Sequence, residues 1–159
     1  MRLSYDKEKS VSRVKTINER LREAATAGVK VELKAVLNDS ECNVYSTDGF
    51  GGTALMYAAS HGHAECVQLL LSVADTKGKD IYGVTALIYA VSGGHEACVR
   101  ILLPVSDVLA VDDGGQTAID WARKRGLEGL AQSIDTYIFV QNEQAASRKP
   151  RAMRLRVGP

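Results

Sequence analysis

The chain carries one string three times. "GGTALMYAASHGHAECVQLLL" begins at Gly51, returns as "GVTALIYAVSGGHEACVRILL" from Gly83, and comes again, with more polar letters, as "GQTAIDWARKRGLEGLAQSI" from Gly115. Asp48, Asp80 and Asp112, Gly51, Gly83 and Gly115, Thr53, Thr85 and Thr117, and Gly62, Gly94 and Gly126 all recur at a spacing of 32 residues. A fixed spacing of this length marks a copied supersecondary unit, and a unit too small to bury its own apolar face must stack on its neighbours. The 159 residues suffice for one domain with a core and hardly for two.

Within one copy, Leu55, Ala58 and Ala59, followed by Cys66, Val67, Leu69, Leu70 and Leu71, show the i, i+3, i+4 spacing of two short amphipathic helices. Gly62 parts them, at the place past a helix end where a left-handed residue is needed, and Thr53 stands where an N-cap hydroxyl belongs. Each copy is therefore a helical hairpin. Ala58 and Ala59, with Ala90 and Ala122 in the later copies, keep the first helix small where it meets its neighbours. The connectors "SVADTKGKDIYG" and "PVSDVLAVDDGG" are rich in Gly and Asp and read as extended turns with solvent-facing tips.

The succession Gly-x-Thr-Ala-Leu, an Ala two residues on, then Gly-His and a Leu-rich helix resembles the ankyrin repeat. The resemblance covers residues 49–134 directly. A fainter copy, "NERLREAATAGVKVELKAVL" from Asn18, aligns Leu21, Ala24, Ala25 and Gly28 with the same positions. It implies an all-α solenoid of about four stacked helix-turn-helix repeats, over 16–47, 48–79, 80–111 and 112–140, the outer two being caps. The spelling TALMYAA with GHAEC, in place of the commoner TPLHLAA with GHxEIV, is similar to repeats of protist ankyrin families. Ala54, Ala86 and Ala118 replace the family's proline, and Met56, Ile88 and Asp120 replace its first-helix histidine. The connectors are one residue short and lack the usual glycine after the second helix, so their geometry is left open.

The end copies carry polar residues, as the ends of a stack must: Glu19, Arg20, Arg22, Glu23, Lys30, Glu32 and Lys34 in the first, and Arg123, Lys124, Arg125 and Glu128 in the last. Thr16 and Glu19 have the spacing of a capping box. Val11, Val14, Ile17 and Leu21 share one helical face, so an N-terminal helical extension over 1–15 is also expected. Residues 141–159 form a basic tail, expected to be flexible, in which Arg148, Lys149, Arg151, Arg154 and Arg156 stand against Glu143.

Net charge is +1, and no apolar run is long enough to cross a bilayer. "MRLSYDKEKS" lacks the apolar stretch of a secretory signal, and three cysteines make a poor disulfide framework. An intracellular home is expected, cytoplasmic or cytoskeleton-associated, with the nucleus open through the basic tail. His61, His63 and Cys66 invite a metal reading, yet structural zinc wants four converging ligands in paired spacing, and packing is preferred. Cys66 and Cys98 lie one repeat apart, too far for a disulfide, while Cys42 sits in the longer first connector, either exposed or partly buried. Asp48, Asp80 and Asp112 are set in a row rather than converging, which suits turn capping better than catalysis. Tyr57, Tyr89 and Trp121 share one first-helix position and read as packing at the edge of the core. No nucleophile–base pair, phosphate loop or paired carboxylate appears, so neither catalytic residue, metal nor cofactor is assigned.

Ankyrin stacks bind partners through turn tips and the exposed face of their first helices. The resemblance therefore implies a protein-binding surface of Gly49, Phe50, Gly52, Ser60 and His61 in one repeat and Ile81, Tyr82, Val84, Ser92 and Gly93 in the next. Asp113, Gly114, Gln116, Lys124 and Arg125 continue it. The expected function is that of a monomeric, non-enzymatic adaptor or scaffold. Two other readings stay open: a regulatory or targeting fragment of a larger ankyrin protein such as a kinase, and a binder of nucleic acid or acidic partners through Arg148, Lys149, Arg151, Arg154 and Arg156.

Overall fold

A computed structural model of the chain describes residues 15–148. Residues 1–14 of the expected extension over 1–15, and residues 149–159 of the expected tail, lie outside them. Eight helices are found among the described residues, in four hairpins: α1 (Ile17–Ala27) with α2 (Lys30–Leu37), α3 (Ala54–Ser60) with α4 (Ala64–Leu70), α5 (Ala86–Ser92) with α6 (Glu96–Leu102), and α7 (Ala118–Lys124) with α8 (Glu128–Arg148). The first helices form one layer, α1 on α3 on α5 on α7, and the second helices form another behind it. This is the expected all-α repeat solenoid.

The local sequence sets each helix boundary. Thr53, Thr85 and Thr117 hold extended N-cap conformations, and their hydroxyls accept the backbone N–H three residues on, each at 3.3 Å. Thr16 and Glu19 make the capping box in both directions. α1 therefore begins at Ile17, behind the extended Thr16.

The hairpin bends rest on glycine for two reasons at once. Gly62 has φ +76°, and a Cβ there would lie 2.5 Å from His95 Nδ1; Gly28, at φ +71°, faces His63 in the same way. His63 Nε2 donates to the Thr26 carbonyl and His95 Nε2 to that of Ser60, each at 2.9 Å, so each imidazole pins its repeat to the one before. Leu127 takes this place in the fourth repeat, and the link is lost there.

Leu21, Leu33, Leu55, Leu70, Leu87, Leu102 and Ile134 are buried along the seam between the layers, beside the alanines at 58, 59, 90 and 122. Where repeat three offers Ile88 and Val91 to its successor, repeat four exposes Asp120 and Arg123, the latter paired with Asp135 at 2.8 Å. Apolar stacking ends at that polar surface. The connectors interlock sideways: Thr76 Oγ1 donates to the Val105 carbonyl and Lys79 Nζ to that of Val111, both at 2.7 Å.

The last helix is longer than expected. It runs through Arg148, so a boundary at 140 falls within it, and residues 139–147 stand exposed on a helix whose packed residues end at Ile138. Its final turns, "QNEQAASR", contain good helix formers and no breaker, so the helix propagates from its packed half without an apolar face.

Two stability outcomes follow from this geometry. Ala54 and Ala86 open helices behind threonines at ψ 163° and 165°, the backbone that a residue before proline requires. Ala54→Pro or Ala86→Pro should raise the urea midpoint by the equivalent of about 0.4–1 kcal/mol. Gly126→Ala should cost roughly 1 kcal/mol for its left-handed φ alone, since nothing lies within 4 Å of the new Cβ. Gly62→Ala adds a clash with the imidazole and should cost at least twice as much, in the same denaturation measurement.

Candidate partner-binding face

Each tip is built by one aspartate. Asp48 Oδ1 accepts the N–H groups of Phe50 and Gly52, both at 2.9 Å; Asp80 Oδ1 accepts those of Tyr82 and Val84, at 2.9 and 2.8 Å; and Asp112 Oδ1 accepts that of Gln116 at 2.9 Å. The turn-capping role expected for these residues is what the geometry shows. Gly51, Gly83 and Gly115 complete the turns with φ between 71° and 78°.

The second carboxylate oxygen does work that was not anticipated. Asp48 Oδ2 accepts from the Tyr57 hydroxyl, Asp80 Oδ2 from Tyr89 at 2.6 Å, and Asp112 Oδ2 from Trp121 Nε1 at 2.8 Å. The aromatics read as edge packing are packed against the core and also clamp each tip to the first helix of its own repeat. The signal was present in the sequence: the position is Tyr, Tyr and Trp, each with a donor. Burial works to raise the Asp48 pKa, but the hydrogen bonds from Tyr57, Gly52 and Phe50 outweigh it and hold the carboxyl below its ordinary value. Asp112 is lowered by its bonds from Gln116 and Trp121, and burial followed by the bond to Asp80 pushes Tyr89 up.

Neighbouring tips are joined through the backbone. Ile81 N–H donates to the Phe50 carbonyl at 3.0 Å, and Asp113 N–H to the Tyr82 carbonyl at 2.9 Å. The main-chain carbonyls of Phe50 and Tyr82 are thus committed to the scaffold, yet the two residues stand 62 % and 55 % exposed, beside Ile81 at 55 %.

The other residues expected on this surface fall into two groups. Gly49, His61, Gly93, Asp113, Gly114, Lys124 and Arg125 are exposed, and Ser60, Ser92 and Gln116 are half-buried on the same face. Gly52, which lines the space between neighbouring tips, and Val84 are the most enclosed of the set. Gly52 is buried where a Cβ would meet the Asp48 carboxylate at 3.1 Å, and Val84 packs against the core. The fourth repeat gathers charge: Lys124 Nζ lies 5.0 Å from the Trp121 ring centre and donates to Gln116 Oε1 at 3.2 Å, while Arg125 Nη2 donates to Ser92 Oγ at 3.1 Å.

Repeat one, read in sequence only as a cap, also borders this face. Lys15, Glu19, Arg22, Glu23 and Thr26 line an open depression of about 430 Å³ with Tyr57. Aligning Gly28 with Gly62 places Glu23 and Thr26 at the positions of Tyr57 and Ser60, which was the available clue.

The three thiols are free. Cys66 and Cys98 are buried, and Cys42 is partly buried, its pKa raised by burial and by Asp39. Among the described residues no three His, Cys, Asp or Glu side chains gather as metal ligands, and no helix is long and apolar enough to cross a membrane.

Helix pairs stacked in register, with tips clamped by aspartate, define an all-α repeat solenoid. The family model for ankyrin repeats, in three copies, matches residues 21–112 and 73–134, which together span over two thirds of the chain. The chain belongs to the ankyrin-repeat family. A search of curated proteins gave no significant match.

The clamps make stability depend on ionised aspartates. For Asp48, Asp112 and Asp120, whose folded pKa values lie below the ordinary value of 3.8, the contribution is present above that value and lost as pH falls through the folded one. The thermal midpoint should therefore fall between about pH 5 and pH 2. Tyr89→Phe leaves an oxygen of the buried Asp80 without its donor and should cost about 1–3 kcal/mol by chemical denaturation at pH 7.

Proposed function

We propose that this chain is a non-catalytic adaptor or scaffold that holds a protein partner against its tips and first-helix face. One observation carries the reading: Phe50 and Tyr82 spend their backbone carbonyls on the tip-to-tip links yet leave their rings exposed on adjacent tips. Large exposed rings on a rigid backbone lose little entropy on binding and commonly anchor interfaces. General membership of the ankyrin family, whose repeats are protein-interaction modules, supports the same role.

The reading includes a monomer, because Asp120 and Arg123 turn a polar surface outward at the end of the stack. It also includes an intracellular setting, consistent with three free thiols. Catalysis has no part in it: the perturbed carboxyls at 48, 112 and 120 are explained by turn and helix capping.

Photo-crosslinking in the native cell tests the assignment. A benzophenone amino acid at position 50 or 82 should capture a partner, and the same group at Lys34 or Gln68, exposed on the second helices, should not. With that partner in hand, Phe50→Ala or Tyr82→Ala should each weaken binding by roughly 1–2 kcal/mol with an unchanged thermal midpoint. Equal capture from both faces, or loss of stability with normal binding, would move the interface elsewhere.

A further inference from the structure

The face of tips and first helices is not electrically uniform, and its two signs lie in different places. Between the second and third tips, a notch of about 90 Å³ is lined by the rings of Phe50, Tyr57 and Tyr89 and the carboxylates of Asp48 and Asp80. Among the described residues both carboxylates accept only from neutral donors, backbone N–H groups and tyrosine hydroxyls, and neither forms an ion pair. Arg22 acts on Asp48 from beyond ion-pair distance, its guanidinium bonded to Ser46.

On the fourth repeat the situation is inverted. Among the described residues, Lys124 and Arg125 are exposed and bonded only to the neutral Gln116 and Ser92, whereas Arg123 beside them is matched by Asp135. Lys124 acts on Asp112 without pairing with it. Unmatched charges of opposite sign along one groove are complementary to a ligand carrying the reverse signs in the same order, and they disfavour ligands that do not.

We propose that this face takes an extended segment of another protein, with a lysine or arginine in the Phe50–Tyr89 notch and an aspartate or glutamate on Lys124 and Arg125. The inference rests on the reading that this face binds protein. Notch and basic corner lie about two repeat steps apart, or roughly 16–20 Å at the spacing of packed helices. An extended chain covers that distance in about five or six residues. The aliphatic stem of the basic residue lies along the three rings, where the ring faces attract its cation as the carboxylates do.

Selection of a displayed library of random peptides, roughly twelve residues long and so about twice the required span, against the full chain tests the assignment. Enriched peptides should pair a basic with an acidic residue about five or six positions apart. For one such peptide, Lys124→Glu combined with Arg125→Glu should weaken binding roughly tenfold, and exchanging the peptide's acidic residue for lysine should restore it to within about threefold. Ser60→Lys places the chain's own cation at the notch and should abolish selection for the basic residue while the acidic preference persists. Thermal midpoints confirm that each variant is folded. No enrichment, enrichment without the charge pair, or indifference to the double reversal overturns the proposal. If peptides lacking the pair still lose affinity with Phe50→Ala, the face binds protein and only its charge logic falls; if Phe50→Ala is also without effect, the reading of the face falls with it.

Discussion

The tips of the second, third and fourth repeats each hang on one carboxylate. An aspartate that opens a turn can satisfy backbone N–H groups with one oxygen, and here the second oxygen reaches an aromatic donor nine residues later. The first set of bonds gives the tip its shape; the second fixes its angle to the first helix. Without the second, the tip would be a loop attached at two points and free to swing, and the exposed residues on it would have no set relation to those on the helix. With it, Phe50 on a tip and Ser60 on a helix belong to one surface.

The interactions between repeats are of different kinds. Leucine and alanine burial is non-directional and tolerates sliding, whereas the imidazole links and tip-to-tip bonds fix the register of one hairpin against the next. The stack is therefore both cohesive and specific. Its end is made by replacing the apolar pair Ile88 and Val91 with Asp120 and Arg123, which removes the reason for another repeat to dock. The Arg123–Asp135 pair is half-exposed and adds little stability of its own. Its effect is to make the end compatible with water.

Much of this was legible in the sequence because the repeat supplies three readings of each position. A threonine before an alanine-rich helix, a glycine after it and an aspartate at a turn each have a local physical cause, and each was found where the spacing put it. What local reasoning missed depended on distance along the chain or on the absence of a signal. The Tyr57–Asp48 bond joins two positions that separately look complete, one as a turn cap and one as an apolar edge. Gly52 was placed at a turn tip by the resemblance to ankyrin repeats, and its burial beside the Asp48 carboxylate had no local signal. The end of α8 was misplaced at 140 because its last turns carry no apolar period; good helix formers simply continued what the packed half began.

In a linear stack each repeat is held only by its neighbours, so local stability varies from one interface to the next. Repeats one to three are joined by both the imidazole and the apolar seam, but the fourth meets the third without an imidazole, since Leu127 offers only dispersion contact near Gly94. Its remaining polar links are Asp113 to Tyr82 and Arg125 to Ser92, the last an exposed bond. Opening should therefore begin at this interface. The notch lies on the better-held side and the basic corner on the weaker one. A ligand spanning both must find the fourth repeat in place, and by mass action it stabilises the closed stack as it binds. The charge division that selects the ligand would then also make its binding strengthen the least secure joint of the scaffold.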